Sequence, residues 1–291
     1  MLLRGLHICI RLGLLLALLS APRALADPTL RVMSWNLRHE GWSGETSYSA
    51  DAAQLWSRFG ASSAAPDGVD VVFLQEVMYP SAAQEIASAL SRLSGVSWAY
   101  SVTPAVGRSS YKECYAVLYR PDVVTLLSSS VYADVNDVFE REPQLVKLRV
   151  NDTQADFTFI NWHTVFGTTT QRQAEIAAIP QVFSAVQASS PDDRDIILLG
   201  DFNASATSSW WSGLTNPSRI SPQVQFKVNE LSTLNSSGSY ASPYDHFWFQ
   251  PEHVTEFVAA GRDYVESTLG LYALSDHAPI WITFYATGDS D

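Results

Sequence analysis

Short apolar runs alternate with amphipathic segments along most of the chain. Residues 69–77 are apolar on both faces, which is typical of a buried strand, whereas residues 170–188 repeat their apolar positions with the helical period. Pro180 lies inside this helical segment, and we expect a kink there. Four consecutive strands between residues 114 and 164 follow one another closely, which favours an antiparallel series. The pattern predicts helices over residues 50–60, 81–94 and 170–188, and strands over residues 29–37, 69–77, 114–120, 123–132, 143–150, 156–164, 195–203, 244–249 and 278–285. Such an alternation predicts an α/β fold with mixed sheets covered by helices.

Polar residues that could bind a metal ion or transfer a proton stand at the ends of several predicted strands. Aspartate and asparagine are also ordinary turn residues, so one such strand end carries little information. Four strand ends of this kind, with two later segments of similar chemistry, are harder to attribute to turns, because ligand sites of α/β sheets form where strands end. We therefore predict that one site brings together Asn36, Glu76, His163, Asp201, Asn203, Asp245, Asp276 and His277.

The chemistry of these side chains favours hydrolysis of a phosphate ester. Carboxylate and amide oxygens are the ligands that hard divalent cations such as Mg²⁺ prefer. A histidine beside a carboxylate can transfer a proton near neutral pH. A bound cation neutralises phosphate charge, and amides and imidazoles stabilise the additional charge of the transition state. The chain shows no Cys/His spacing typical of a structural zinc site.

The first 26 of the 291 residues have the pattern of an export signal. Basic residues, Arg4 and Arg11, are followed by an apolar core over residues 12–19 and by the small-x-small sequence of residues 24–26. We expect a cleaved signal peptide over residues 1–26 and a secreted or periplasmic protein. Residues 27–291 contain no compositional break or linker and are predicted to form one domain. They also contain no apolar stretch long enough for a membrane span, so we expect no membrane partner.

The net charge and the cysteine content restrict which substrates and which cysteine chemistry we expect. The net charge is −12, and removal of three arginines with the signal peptide would leave 15 basic against 30 acidic residues, a net charge of −15. Such a protein has no general attraction for a polyanion, so a nucleic-acid substrate would require local arginines or lysines and divalent cations. Cys114 would be the only remaining cysteine. Its strand-like surroundings predict a buried free thiol rather than a nucleophile.

A series of motifs in this chain resembles those of a known superfamily. The segments "MSWNL" (33–37), "FLQEV" (73–77), "GDFNAS" (200–205) and "SDHAPI" (275–280) resemble the motif series of the endonuclease/exonuclease/phosphatase superfamily. The segments "GRSSYKECYAVLYRPDVV" (107–124) and "FEREPQLVKLRV" (139–150) resemble its deoxyribonuclease I-like branch. The resemblance covers nearly all of residues 27–291. It implies one catalytic domain with a four-layer α/β sandwich, two packed mixed β-sheets flanked by helices, and metal-dependent endonucleolytic cleavage of double-stranded DNA that leaves 5′-phosphates.

The same resemblance implies roles for the catalytic residues. His163 would contact the scissile phosphate, oriented by Glu113, and His277 would pair with Asp245. Which histidine accepts the proton is left open. Contact with the attacking water, the phosphate or a metal would come from Asp201 and Asn203.

Metal ions and DNA would be held by further residues that the resemblance identifies. Glu76 would be the main carboxylate ligand of a catalytic Mg²⁺ or Mn²⁺, with Asn36 beside it and Asp276 completing the metal side, and the number of metal ions is left open. DNA contacts would come from Arg141, Tyr111 and Arg38.

The chain also departs from the pattern of this branch. Its two disulfides are absent, and the loop after Tyr132, where a calcium site normally lies, is short. Met78 stands where animal members carry an arginine that contacts DNA. A structural Ca²⁺ could still be held by Asp134, Asp137, the carbonyl of Phe139 and Glu142.

Alternative functions share much of this residue set. A phosphoinositide phosphatase, or a phospholipid phosphodiesterase including toxin-like members of the superfamily, would use the same metal and histidine residues, whereas the "SYKE" and "REP" segments favour DNA. A non-catalytic binding protein on this scaffold would be expected to lack a site residue, and none is missing. We expect a monomer. Actin binding, known for some relatives, is left open because it depends on surface loops that cannot be aligned from one sequence.

Overall fold

The computed structural model describes residues 28–42, 46–60, 68–191, 193–263 and 274–286. The predicted signal peptide lies outside these residues. Four helices are found in the described part of the chain: α1 (Tyr48–Gly60), α2 (Pro80–Ser94), α3 (Thr169–Ser189) and the short α4 (Ser212–Thr215). The twelve strands are β1 (Thr29–Glu40), β2 (Val71–Val77), β3 (Ala99–Val102), β4 (Cys114–Tyr119), β5 (Val124–Val131), β6 (Gln144–Val150), β7 (Asp156–His163), β8 (Ile196–Asp201), β9 (Gln225–Lys227), β10 (Asp245–Phe249), β11 (Phe257–Arg262) and β12 (Ile280–Tyr285).

The strands form two six-stranded sheets. The first has the order β11-β12-β1-β2-β4-β3 and the second the order β5-β6-β7-β8-β10-β9. Each sheet is antiparallel except for one parallel pair near its centre, β1 with β2 and β7 with β8. Both sheets are therefore mixed, as the sequence predicts.

Three apolar clusters hold the layers together. One lies between the two sheets and contains Phe73 from β2 and Phe159 from β7, whose ring centroids are 4.8 Å apart. A second packs α1 and α2 on the outer face of the first sheet, and a third packs α3 on the second sheet through residues such as Phe183. The order helix, sheet, sheet, helix confirms the predicted four-layer sandwich.

Most predicted elements are confirmed, and one prediction needs correction. The expected antiparallel series of four strands is wrong in its first member, because β4 pairs with β2 and β3 in the first sheet while β5, β6 and β7 are neighbours in the second. The helix α3 runs from Thr169 to Ser189 and contains Pro180, and the kink expected there stays a prediction. Strands β3, β9 and β11 were not predicted, and all three lie at sheet edges.

Register places the predicted site residues side by side. In the second sheet, His163 at the end of β7 is aligned with Asp201 at the end of β8, and Asp201 is aligned with Asp245 on β10. In the first sheet, Asn36 on β1 is aligned with Gln75 of β2, directly before Glu76. The two sheets therefore present these side chains at one shared edge. No helix of the described residues is long and apolar enough to cross a membrane.

Candidate active site

A cleft of about 520 Å³ lies at the shared edge of the two sheets. Asn36, Glu113 and Asp245 are fully or almost fully buried and support the side chains that face the cleft. The residues implied by the resemblance are thus brought together, some on the wall and some behind it. Those that line the cleft are Arg38, Glu76, Tyr111, Arg141, His163, Asp201, Asn203, Asp276 and His277.

His163 forms the first imidazole–carboxylate pair. Its Nδ1 lies 2.8 Å from Oε1 and 3.1 Å from Oε2 of Glu113, so this hydrogen bond fixes the proton on Nδ1 and leaves Nε2 towards the cleft. The backbone N–H of His163 donates a hydrogen bond of 3.1 Å to the hydroxyl of Tyr115, which holds the backbone of His163 in place. Burial and Arg141 lower the pKa of His163, but Glu113 raises it, and the net direction is upward.

His277 forms a second pair of the same design. Its Nδ1 lies 2.8 Å from Oδ2 of Asp245, and the same oxygen accepts a hydrogen bond of 2.6 Å from the hydroxyl of Ser232. The ring is buried, which lowers its pKa, but the carboxylates of Asp245 and Asp201 raise the pKa well above the ordinary value. The imidazole is therefore fixed in orientation and tautomer, with Nε2 towards the cleft.

The two imidazoles meet at one carboxylate oxygen. Oδ2 of Asp201 lies 3.5 Å from Nε2 of His163 and 3.4 Å from Nε2 of His277. It also accepts a hydrogen bond of 3.0 Å from the side-chain amide of Asn36. Burial raises the pKa of Asp201, and the nearby charge of Asp245 adds to this shift, while His277 opposes it. A proton or a cation close to this oxygen would be stabilised by the surrounding carboxylates.

Glu76 lies next to the imidazole pairs, with its Oε1 4.0 Å from Nε2 of His163. Its Oε1 accepts a hydrogen bond of 3.0 Å from the amide of Asn36, and its Oε2 accepts one of 3.1 Å from the hydroxyl of Tyr111. Burial would raise the pKa of Glu76, but the charge of His163 and the bond from Asn36 lower it below the ordinary value. Glu76 is therefore held as a carboxylate at the wall of the cleft.

Three of the predicted site residues adopt an unusual backbone conformation. The φ angles are 54° for Glu76, 49° for Asn203 and 46° for Arg38, in the left-handed region that non-glycine residues rarely adopt. The strain, on the order of 1–3 kcal/mol for each residue, is offset by the contacts that hold them. For Asn203 these include a backbone N–H bond of 2.9 Å to Asp201 and a side-chain bond of 2.9 Å to the carbonyl of Thr164.

Arg141 reaches the cleft from the segment before β6. Its guanidinium donates to the carbonyls of His163 at 3.1 Å and Thr164 at 2.8 Å, and it lies 3.7 Å from Glu113. Only 5% of Arg141 is exposed. The cation is thus held rigidly beside the imidazole of His163, where it could meet a phosphate without reorganisation.

The wall of the cleft is completed by three further predicted residues, Arg38, Tyr111 and Asp276. Arg38 has a positive φ of 46° and lies where the pairing of β1 with β2 shifts register, just after Asn36. The backbone N–H of Arg38 donates to the Asn36 side chain at 2.9 Å, which orients that amide. The main-chain carbonyl of Asp276 accepts a hydrogen bond of 2.7 Å from the N–H of Leu234.

The donor set of this cleft suits a hard divalent cation. Three carboxylates, those of Glu76, Asp201 and Asp276, line the cleft. Among the described residues, two groups of three could each hold a metal ion, with ligand atoms within 4.8 Å of one another. These groups are Glu76, Glu113 and His163, and Asp201, Asp245 and His277. Oxygen ligands predominate, which fits Mg²⁺ or Mn²⁺ better than a soft metal ion.

The four residues named for a structural calcium ion are arranged differently. Oδ2 of Asp134 accepts hydrogen bonds from the N–H groups of Val138 and Phe139, at 2.5 and 2.8 Å, so this oxygen caps its own loop. Oδ1 of Asp137 is paired with the Nε of Arg108 at 2.9 Å. Asp134, Asp137 and Glu142 belong to neither of the two candidate metal groups found in the described part of the chain. Calcium binding at this loop stays a prediction.

Some supporting residues cannot be recognised from the sequence pattern. Ser232 and Tyr115 hold the two imidazole pairs through single hydroxyls. Ser232 belongs to no motif used above, and Tyr115 lies in the segment 107–124 without a role having been predicted for it. Glu175 on α3 accepts hydrogen bonds from the N–H groups of Glu140, at 2.8 Å, and of Val165. Glu140 directly precedes Arg141, and Val165 follows His163 by two residues. His39 also lines the cleft, and its backbone N–H donates to the carboxylate of Glu76 at 3.1 Å. The only feature of the sequence that could have indicated His39 is its position three residues after Asn36.

Comparison with known proteins identifies the family of this chain. The sequence profile described as the Endonuclease/Exonuclease/phosphatase family matches residues 33–277. The chain belongs to this family. It is therefore a hydrolase by family.

Individual relatives point to one branch of the family. A protein named deoxyribonuclease from a Thioalkalivibrio species is 29% identical over 287 residues, which cover 94% of this chain and 75% of the relative. Deoxyribonuclease-1 of Canis lupus familiaris is 30% identical over 275 residues, which cover 87% of this chain and 91% of the relative. These matches confirm the deoxyribonuclease I-like branch.

Solved structures confirm the fold. A family protein from Bacteroides thetaiotaomicron superposes with a TM-score of 0.62 at 16% identity, covering 89% of this chain and 95% of that chain. A protein titled mannosyl-6-phosphatase from the same species superposes with a TM-score of 0.58 at 17% identity, covering 87% and 98%. At these identities the likeness concerns the architecture alone.

Proposed function

We propose that this protein is a divalent-metal-dependent endodeoxyribonuclease that hydrolyses phosphodiester bonds of double-stranded DNA and leaves 5′-phosphates. The observation that carries the proposal is the convergence of the two imidazoles on Oδ2 of Asp201, at 3.5 and 3.4 Å, each with a carboxylate at Nδ1. The relatives named deoxyribonuclease support DNA as the substrate.

The two histidines supply one base and one acid in this proposal. The Nε2 of one imidazole accepts a proton from the attacking water as its oxygen bonds to phosphorus. The bond from phosphorus to the 3′ oxygen breaks, and the other imidazole delivers a proton to that oxygen. Glu113 and Asp245 stabilise the positive charge on their respective rings throughout.

A cation bound near Glu76, with Asn36 and Asp276, would neutralise the charge of the scissile phosphate. Mg²⁺ or Mn²⁺ fits this oxygen-rich set. Arg141 and Asn203 bind and orient the phosphate from the wall of the same cleft, where hydrogen bonds already fix their side chains.

DNA must be held by local contacts, because the protein as a whole repels a polyanion. With a net charge of −12, the chain concentrates Arg38 and Arg141 on one cleft. Tyr111 lies beside them and contacts Glu76, so we assign it to the groove edge of the DNA. The signal-like residues 1–26 support export to a periplasm or the medium, which fractionation of an expressing culture would test.

The experiment is a substrate panel with one preparation of the protein. Supercoiled plasmid, a phosphoinositide and sphingomyelin are each incubated with Mg²⁺ or with a chelator. We expect nicked plasmid with Mg²⁺ only, and nicks that DNA ligase reseals without prior kinase treatment, because resealing requires a 5′-phosphate. Release of phosphate from the phosphoinositide, or cleavage of sphingomyelin, with no nicking of plasmid would replace DNA as the substrate.

A further inference from the structure

An exposed aromatic ring lies on the wall of the catalytic cleft. Phe166 is 72% exposed, whereas the other phenylalanines whose side chains the structure describes are buried or half-buried. It follows His163 by three residues and lines the same cleft as His163, Arg141 and Asn203. An exposed apolar side chain is common on protein surfaces, so its position in the cleft is what calls for a function.

Hydrogen bonds hold the backbone of the loop in place both before and after Phe166. The N–H of Thr164 donates to the carbonyl of Asp201 at 3.0 Å, and the N–H of Val165 donates to the buried carboxylate of Glu175. Beyond the ring, the N–H of Thr168 donates to the side chain of Gln171 at 2.8 Å, and the Thr168 hydroxyl accepts from the N–H of Gln171, which forms a capping box at the start of α3.

The residue after the ring fits the same fixed loop. A Cβ at Gly167 would lie 2.7 Å from the side-chain oxygen of Gln171, so glycine leaves room for the capping contact. The ring of Phe166 is thus presented to the cleft from a backbone that is already ordered. Binding a ligand through it therefore costs little additional conformational entropy.

We propose that Phe166 is a stacking site for a nucleobase of the DNA strand next to the scissile phosphate. This inference rests on the proposed function and adds a residue that touches the substrate away from the reacting atoms. A ring beside Arg141 and His163 is positioned where the base of a bound nucleotide follows its phosphate into the cleft. In a duplex the faces of a base are covered by its neighbours, so the ring inserts at a base step and replaces one of these stacking contacts. Every base has a π-face, so such a contact does not select a sequence.

The surroundings of Phe166 favour a base over a lipid chain. A surface that inserts into a membrane needs a continuous apolar patch. The residues that share the cleft wall with Phe166 include the charged and polar side chains of Arg141, Asp201 and Asn203. These groups suit a phosphate with an attached base and would be costly to place in hydrocarbon.

The test combines a protein variant with a missing base. The cleavage position of the wild-type protein is first mapped on a short duplex, and single abasic sites are then placed at each position around it. We expect one abasic position to lower kcat/KM at least about fivefold, and Phe166→Ala to do the same on the intact duplex. The two losses should not add, because they remove the same contact. Phe166→Trp should retain most of the activity.

Tyr285→Ala is the matched control. Tyr285 is 42% exposed and pairs with Thr29, at the opposite end of β1 from Asn36. Its substitution should leave kcat/KM unchanged, and both alanine variants should keep the melting temperature of the wild type. Equal abasic penalties in wild type and Phe166→Ala would overturn the inference while the nuclease assignment stands.

Two further results are distinguishable. If the wild-type protein cleaves no duplex at all, the proposed function fails and the inference with it. If Phe166→Ala cleaves duplex like the wild type but loses binding to phosphatidylcholine vesicles, the ring belongs to a lipid contact and the base-stacking assignment is wrong.

Discussion

At the scale of single residues, the site depends on carboxylates that fix their neighbours. One carboxylate oxygen of Asp245 accepts two hydrogen bonds, one from Nδ1–H of His277 and one from the hydroxyl of Ser232. Such a carboxylate holds the ring in one tautomer and stabilises its charged form. In the proposed mechanism, a positive charge on the ring of His277 is therefore stabilised more strongly next to Asp245 than in water.

Replacing Asp245 with asparagine tests this dependence. The amide keeps the shape but removes the charge, so we expect kcat/KM for plasmid nicking to fall about 10²- to 10⁴-fold. Initial rates of open-circle formation give the value. Asp152→Asn, at an exposed turn, is the control and should act like the wild type. Asp245→Asn activity within about threefold of the wild type would remove Asp245 from the catalytic arrangement.

The residues that could be predicted are those at the ends of apolar strands or within quoted motifs. Asp201 and His163 are found because strand ends in α/β sheets meet at one edge. Ser232 and Glu175 could not be found this way, because each acts through hydrogen bonds to residues distant in sequence. For the same reason the role of Tyr115 could not be predicted, although the residue lies in a quoted segment. Periodicity records which face of an element is buried, and it carries no information about such bonds.

At the scale of elements, the three strands that the sequence pattern did not predict share one kind of position in their sheets. The unpredicted strands β3, β9 and β11 are all edge strands, and their residues are mostly partly exposed. An edge strand buries less apolar surface, so its sequence shows weaker periodicity. The pairing of β4 with the first sheet was missed because closeness along the chain does not decide which sheet a strand joins.

Helix α1 buries a pair of acids near its start. Asp51 is fully buried, Glu40 of β1 lies nearby, and the hydroxyl of Ser47 donates to both carboxylates at 3.3 to 3.4 Å. Burial first, and then the charge of Glu40, raise the pKa of Asp51 from 3.8 to about 8. The unfolded chain releases this proton near pH 4, but the folded protein retains it up to about pH 8.

This difference gives the stability a defined pH dependence. Between about pH 4 and pH 8 the folded state binds more protons at Asp51, so the free energy of unfolding falls as the pH rises. Asp51→Asn removes the dependence, and we expect it to raise the free energy of unfolding by at least about 2 kcal/mol at pH 9, with little effect at pH 4. Urea unfolding at both pH values measures this. An equal effect at the two pH values would contradict the shifted pKa.

At the scale of the whole molecule, stability comes from the apolar layer between the two sheets. Phe159 is fully buried there, against Phe73 and Phe157 at ring distances of 4.8 and 6.2 Å. The alternating pattern of strands and helices predicts such a layer, since mixed sheets with two apolar faces must pack on each other or on helices. Which side chains meet across the layer could not be predicted, because this depends on the register and the packing angle of two sheets.

Phe159→Ala should destabilise the protein by about 3–5 kcal/mol, because it leaves a cavity in the layer. Phe166→Ala, which removes a ring that is 72% exposed, should change the free energy of unfolding by less than about 0.5 kcal/mol. Urea titrations of both variants at one pH give the comparison. Similar losses for the two variants would contradict the described packing.

The most direct measurement is plasmid nicking by the wild type and by His163→Ala, His277→Ala and His253→Ala, each with Mg²⁺ and with a chelator. His253 contributes nothing to the described lining of the cleft and is the control. We predict metal-dependent open circles for the wild type and for His253→Ala, and a loss of at least about 100-fold for the other two variants. A wild type that is folded but leaves the plasmid supercoiled, or full nicking by either cleft variant, would contradict the account.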